Sequence, residues 1–242
     1  NGVVIVELEA DEAEKNSAVQ VYLQAGPGES NLDLASALEL INTLGYTSAF
    51  QQLRTREQLG YMVYTHLERG PSGKVTPPAS WDGAGAAAGG GEGMHPGGPV
   101  AWSVVVQSPD KTPAELEERV EAWIAGFRDE LAALSDEVFQ STVASMSSSV
   151  LRRERSMREE AGIFFGAIAS RTGDFYRRYR KAESYRRLTK QAVLDAYDQF
   201  YAPGAPARRK LSVRVASQRH ARDAEEKAAA AAAEEGGGHR GD

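Results

Sequence analysis

The sequence predicts an α+β fold: a mainly antiparallel sheet with several helices packed on one of its faces. Three observations carry that expectation. Segments at 2–9, 17–24, 61–67, 100–107 and 209–216 are rich in β-branched residues or alternate apolar with polar ones, which gives four or five strands. Apolar residues recur every three or four positions through a long block from 112 to about 201, the signature of consecutive amphipathic helices. Helices grouped in one block, rather than alternating with single strands, point away from a doubly wound parallel sheet.

Each element has a local reason. Gly2-Val3-Val4-Ile5-Val6-Glu7-Leu8-Glu9 is a mostly β-branched strand ending in an acidic turn, and Ser17 to Gln24 alternates as a half-buried strand that Gly26-Pro27-Gly28 closes. Ser30 is placed to cap a helix, with Asp33 returning the bond, and Leu34, Leu38, Ile41 and Leu44 form its buried stripe. Gly45 reads as its stop. A second, shorter helix is expected from about Thr47 to Leu59, with Phe50 and Leu53 near its inner side; Gly60 ends it and permits the turn into a strand beginning at Tyr61. Residues 69–99 hold ten of the 24 glycines and five of the ten prolines, too little apolar surface to offset ordering, and read as a flexible insertion. The strands on either side, 61–67 and 100–107, are expected to pair antiparallel, since lengthening their connection costs little entropy. Thr112-Pro113-Ala114-Glu115 is a capping box with Pro at the first helical position; Leu116, Val120, Ile124, Phe127 and Leu131 continue that helix. Ser135 caps the next, expected to reach roughly Arg155; a third runs through Ile163, Phe164 and Ile168 to about Thr172-Gly173; Thr189 starts a fourth that stops at Tyr201-Ala202-Pro203-Gly204. The whole reads as one folded domain over 1–218 and an Ala/Glu/Gly-rich tail over 219–242.

Composition excludes several functions. With 41% hydrophobic and 26% charged residues, the 242-residue chain is an ordinary globular protein with enough length for a real core. No run of eighteen apolar residues is present, which argues against a membrane-spanning helix and a membrane partner. The absence of cysteine rules out disulfides and cysteine-based zinc sites and fits a reducing, cytoplasmic setting, although an organellar one stays open. Beginning at Asn1-Gly2, the chain reads either as one from which a targeting segment has been removed or as a piece of a longer protein, with the second expected. The net charge of −6 argues against a nucleic-acid partner. Charge is uneven: residues 1–50 carry one Lys against eight acids, and 151–190 carry twelve Lys/Arg against five. That basic run is either a solvated helix face or an anion-binding surface. His66, His95, His220 and His239 are scattered without metal-site spacing, and no phosphate loop or nucleophile elbow occurs.

One stretch stands out, LRTREQLGY at 53–61. Arg54 and Tyr61 flank a corner, seven residues apart, and a guanidinium and a phenol both donate to a carbonyl oxygen or oxyanion. The plainer reading pairs Arg54 with Glu57 or Glu68 and makes Tyr61 a partly buried strand aromatic.

FQQLRTREQLGYMVY, residues 50–64, closely resembles the C-terminal half of the insulin-degrading enzyme, pitrilysin and nardilysin family of inverzincin zinc peptidases. Asn16-Ser17-Ala18, VVVQSPDKTPAELEERVEAW at 104–123, LSDEVFQ at 134–140 and LTKQAVLDAYDQFYAPGAPARRKLSVRV at 188–215 extend the resemblance in order, over about 1–218. The resemblance implies a pitrilysin-type sandwich unit in the last position of four. It implies a composite active site in which Arg54 and Tyr61 reach the substrate near a zinc ion held by an upstream unit, and Phe50 lines the pocket. It further implies peptide substrates, and the N-terminal zinc-bearing half of the same protein as partner. Arg152, Arg153, Arg155 and Arg158 resemble a basic region of the family and are candidate anion-binding residues; as exposed side chains they could equally pair with Glu154, Glu159 and Glu160. The zinc motif itself is missing, so the chain alone is expected to bind no metal and to cut nothing. The alternative is a catalytically inactive relative that binds peptides or partners.

Overall fold

The computed structural model describes residues 2–26, 31–69, 99–169 and 173–222. Strand β2 (Ser17–Gln24) explains the sheet: Ser17, Val19, Val21 and Leu23 point to one face and are buried, while their neighbours are half-buried on the other. Antiparallel β4 (Val100–Ser108) lies beside it, setting Val21 against Val104 and Leu23 against Trp102. Beyond β4 comes β3 (Met62–Arg69), the antiparallel partner expected from the sequence. On the opposite side β5 (Arg209–Ala216) pairs antiparallel with β2, and β1 (Gly2–Glu9) closes the sheet parallel to β5. The order is β1-β5-β2-β4-β3, mainly antiparallel as expected, with one parallel pair at an edge.

Helices α1 (Leu32–Ala49), α2 (Pro113–Ala133) and α6 (Lys190–Phe200) pack on the sheet and on one another. Trp102 is their common centre, fully buried, with ring centroids 5.1 Å from Tyr201 and 5.4 Å from Trp123. Its indole nitrogen donates to Asn42 Oδ1 at 3.1 Å, and Thr65 Oγ1 donates to the same oxygen, so one amide on α1 fastens β4 and β3. Between α2 and β5 lies a buried ionic ladder. Glu117 accepts from Ser212 Oγ (2.5 Å), Arg214 Nε (2.6 Å) and Lys210; Glu121 takes Lys210 and Arg208, both at 2.7 Å. Burial alone would raise the Glu117 carboxyl, but the three donors outweigh it and hold it below the usual range. A second layer is formed by α3 (Asp136–Val150) and α5 (Arg177–Arg187), while α4 (Met157–Ala169) buries none of its residues.

The capping box at Thr112 and the caps at Ser135 and Thr189 form as expected. Four expectations need correction. The cap of α1 is Asn31, whose side chain accepts from the Leu34 amide at 3.0 Å; Ser30 lies outside the described residues. Gly45 does not stop α1. It is there because an added Cβ would stand 2.7 Å from Trp102 Cζ2, so the residue is small for packing rather than for termination. Helix α3 ends at Val150, short of Arg155. Helix α5 was not expected at all: seven of its eleven residues are charged, and it buries only Ala182, Ser184 and Tyr185, too sparse a stripe for periodicity to reveal. Most of the expected insertion, 70–98 with His95, lies outside the described residues, as do 170–172 and the tail from 223 with His239; Arg69 itself closes β3. Residues 218–222 are helical, and His220 is buried with Nδ1 2.8 Å from Ser17 Oγ.

Candidate functional site

Helix α1 does not break before Phe50. It widens into a π-helical segment, Phe50–Arg56, in place of the separate second helix expected from Thr47 to Leu59. The widening is visible in the Glu57 amide, which donates to Gln52 O five residues back at 3.0 Å; past the helical segment the Leu59 amide closes the corner on Leu53 O, also at 3.0 Å. Buried Leu53 and Leu59 anchor the two ends of the corner. Between them Gln58 takes the left-handed conformation, φ 52°. The turning residue is therefore Gln58, not Gly60. Gly60 is required for another reason, since a Cβ there would lie 1.8 Å from the Gln107 carbonyl oxygen on β4. The chain runs flat against β4 at this point, and the strand begins one residue later, at Met62.

The wider helical turn brings three of the expected residues together. The Arg54 guanidinium carbon sits 4.6 Å from the ring centroid of Phe50 and 4.6 Å from that of Tyr61, stacked on both aromatic faces. Tyr61 is 82% exposed, while Phe50 and Arg54 are half-buried. The plainer reading of this stretch does not hold. Glu57 is taken by Arg119 Nε at 2.6 Å and Gln52 at 2.8 Å, and Glu68 by Gln20 at 2.8 Å and His66 at 3.1 Å. The bond from Arg119, helped by Gln52 and opposed by burial, keeps the Glu57 carboxyl below its usual range. Among the described residues Arg54 has no carboxylate partner, so its hydrogen-bonding edge is not occupied by the fold.

Beside Tyr61 opens a cleft of about 370 Å³ lined by Gln58, Gly60, Met62 and, from β4 and the loop after it, Gln107 and Asp110. Sequence reasoning missed this second wall. The available signal was the hairpin register, which sets Met62 opposite Gln107 and so carries the end of β4 to the corner. Arg152, Arg153, Arg155 and Arg158 are not part of the site: they are exposed in the α3–α4 connection and the first turn of α4, and none lines the cleft. They do not form the side-chain pairs considered for them. Glu154 is taken by Arg178, and Glu159 accepts from the Arg155 backbone amide at 2.8 Å. What the corner offers is an exposed phenol and an adjacent guanidinium next to a half-open cleft, a pair of donors suited to carbonyl oxygens.

Comparison with known proteins agrees with the resemblance read in the sequence. The family described as PQQ synthase PqqF-like, C-terminal lobe domain 4, matches residues 95–165. Insulin-degrading enzyme-like 1, peroxisomal, of Arabidopsis thaliana is 26% identical over 211 residues, 87% of this chain and 19% of the relative. Human insulin-degrading enzyme is 26% identical over 208 residues, 86% and 18%, and the nardilysin-like protein of Arabidopsis thaliana 28% over 206 residues, 85% and 18%. This chain is homologous to insulin-degrading enzyme and nardilysin. It spans about a fifth of the length of the relatives it matches. Its fold is that of the zinc peptidase units: pitrilysin superposes with a TM-score of 0.66 at 20% identity, over 88% of this chain and 20% of pitrilysin, and the periplasmic protease PqqL from Escherichia coli with 0.60 at 13%, over 90% and 21%.

Proposed function

We propose that this chain is the C-terminal, non-zinc part of a peptide-degrading zinc metalloendopeptidase, and that Arg54 and Tyr61 serve its composite active site. The observation that carries the reading is the stacked trio Phe50–Arg54–Tyr61, with its exposed phenol at the edge of a cleft. Among the described residues no group of three or more His, Cys, Asp or Glu side chains is placed to hold a metal. The ion would belong to the N-terminal half of the same protein, and this chain alone would cut no peptide.

The residues present contribute in three ways. The Tyr61 hydroxyl donates a hydrogen bond to the oxygen of the scissile carbonyl as negative charge develops there, an interaction stronger in the transition state than in the bound substrate. Arg54, held between two rings, is already oriented before substrate arrives and donates to the substrate backbone with little further loss of freedom. Phe50 supplies an apolar wall for the neighbouring side chain. Exposed apolar residues of α4 and just beyond, Phe164, Phe165, Ile168 and Tyr176, support docking against the missing half. The four exposed arginines from 152 to 158 are proposed to attract anionic groups, and the cysteine-free composition is in keeping with the cytoplasm.

The test is Tyr61→Phe in the full-length protein. Loss of one oxyanion donor is expected to lower kcat by on the order of ten- to a thousandfold. Unchanged kcat in a folded variant would overturn the catalytic role.

A further inference from the structure

Arg54 can donate to a substrate only where no carboxylate of the fold claims it first. The claimant in its own segment is Glu57. An arginine and a glutamate three positions apart on an ordinary α-helix are surface neighbours and pair. Here they do not, for two reasons that act together. The wider turn sets Glu57 over Gln52 rather than over Arg54: the Glu57 amide bonds to Gln52 O at 3.0 Å, and Gln52 Nε2 donates to Glu57 Oε1 at 2.8 Å. The second carboxylate oxygen, Oε2, is taken by Arg119 Nε at 2.6 Å. Arg119 comes from α2, beside buried Leu116 and Val120, on the helix that packs against the π-helical segment. The pair is unequal: the Glu57 side chain is 15% exposed and that of Arg119 47%. Removing the arginine therefore opens no cavity but strands a largely buried carboxylate, which must then find another cation. Arg56 is adjacent in sequence, points elsewhere and is held on Gln52 Oε1 at 3.2 Å. Arg54 is the cation left, restrained only by two partly exposed ring faces, a weaker hold than a poorly solvated carboxylate would exert.

We infer that Arg119 is a positioning residue: it occupies Glu57, and so keeps the Arg54 guanidinium stacked between Phe50 and Tyr61 with its hydrogen-bonding edge open. The use made of that edge rests on the proposed function; the edge itself rests on the geometry of the corner alone. Arg119 touches neither Arg54 nor a substrate in this role. It acts by removing a competitor, so its loss and the loss of Glu57 have opposite consequences for Arg54.

Two measurements on Arg119→Ala, Glu57→Gln and the double variant test it. The first is the Arg54 Nε–H resonance of this chain, moved upfield by the ring currents of Phe50 and Tyr61 and assigned by its loss in Arg54→Lys. It is expected upfield in the wild type and in Glu57→Gln, relaxed in Arg119→Ala, and upfield again in the double variant. Arg119→Lys, which keeps a cation for Glu57, should hold the wild-type position. A purely structural ion pair would make Glu57→Gln as damaging as Arg119→Ala and the double variant no better than either. That pattern, or an unmoved resonance in Arg119→Ala, overturns the inference. The second measurement is peptide cleavage by the full-length protein. There kcat/KM is expected to fall about ten- to a hundredfold in Arg119→Ala, the range for losing a hydrogen bond from a charged donor, and to recover when Glu57→Gln is added. The expected resonance pattern in a protein that cleaves no peptide would refute the peptidase reading and leave the positioning role standing. Cleavage lowered equally in all three variants would overturn the positioning role and leave the peptidase reading intact.

Discussion

Replacing Gly60 with alanine tests the link between the sheet and the corner that carries Tyr61. The new Cβ would sit 1.8 Å from Gln107 O, 2.9 Å from Gln107 C and 3.2 Å from Ser108 Cα, all of them backbone atoms of a central strand. Ordinary contact begins at 3.4 Å, so the two segments must separate by about 1.6 Å. No rotamer change relieves a clash with backbone. Overpacking of this kind costs about 1–3 kcal/mol, and here the upper end applies because β4 is held by β2 and β3 on both edges. Urea unfolding of this chain, followed by tryptophan fluorescence, should show a loss of about 3 kcal/mol at unchanged m. Gly126→Ala is the control: nothing stands within 4 Å of its added Cβ, it lies on the exposed side of α2, and it should gain about 0.5–1 kcal/mol. Under the proposed function, a shift of an ångström at Tyr61 should also lower peptide turnover by the full-length protein about a hundredfold. If Gly60→Ala unfolds at the wild-type urea concentration, Gly60 is not in contact with β4 and the account of the corner is wrong.

Two further outcomes follow from groups whose state the fold alters. Glu117, Glu57 and Asp33 are all held below their usual range: Glu117 by its donors against burial, Glu57 chiefly by Arg119, and Asp33 chiefly by Ser184 and then Arg187. The folded state therefore binds fewer protons than the unfolded one; the stabilisation is complete above about pH 4.5 and is lost as pH falls through the lower folded values. Glu117→Gln should flatten that acid slope and lower stability at pH 7 by about 3 kcal/mol, near the low end for a broken buried pair, since Lys210 keeps Glu121 and Arg214 keeps Glu7; an unchanged slope in pH-dependent urea unfolding would refute the ladder. Gln58→Gly should stabilise the chain by about 0.5–1 kcal/mol, because glycine reaches φ 52° without the side-chain penalty, and a loss of stability would show that the Gln58 side chain contributes more than its backbone strain costs.

The features legible in the sequence are those whose causes are local. Alternation in Ser17–Gln24, the capping box at Thr112 and the caps at Ser135 and Thr189 each depend on residues within one turn or one strand. The misread features have distant causes. Gly45 and Gly60 look like helix punctuation, yet Trp102 and Gln107 dictate them from a strand more than forty positions away. The π-helical segment is hidden for a similar reason, since the same residues serve a 3.6-residue repeat equally well until Leu53 and Leu59 are both committed to the core. Arg54 and Tyr61 stand out in the sequence as two donors flanking a corner, and the pocket role of Phe50 comes only from the resemblance; periodicity marks none of the three for a site. Asp110 and Gln107 were not found, because nothing in their own neighbourhood marks them.

Three irregular features coincide within eleven residues: a π-helical turn, a left-handed Gln58 and a glycine pressed on a neighbouring strand. Each is unfavourable or restrictive on its own, and together they share one geometric consequence. An α-helical turn places residues four apart on one face; the wider turn keeps Phe50 and Arg54 stacked while the chain reverses early enough to return Tyr61 to the same guanidinium. An uninterrupted α-helix through Leu59, as the sequence alone suggests, would carry Tyr61 past Arg54. The irregular corner is thus the condition for the trio to exist. Its irregularity is sustained by buried Leu53 and Leu59 on one side and by β4 on the other, which is why the stability of the sheet and the reach of Tyr61 should change together.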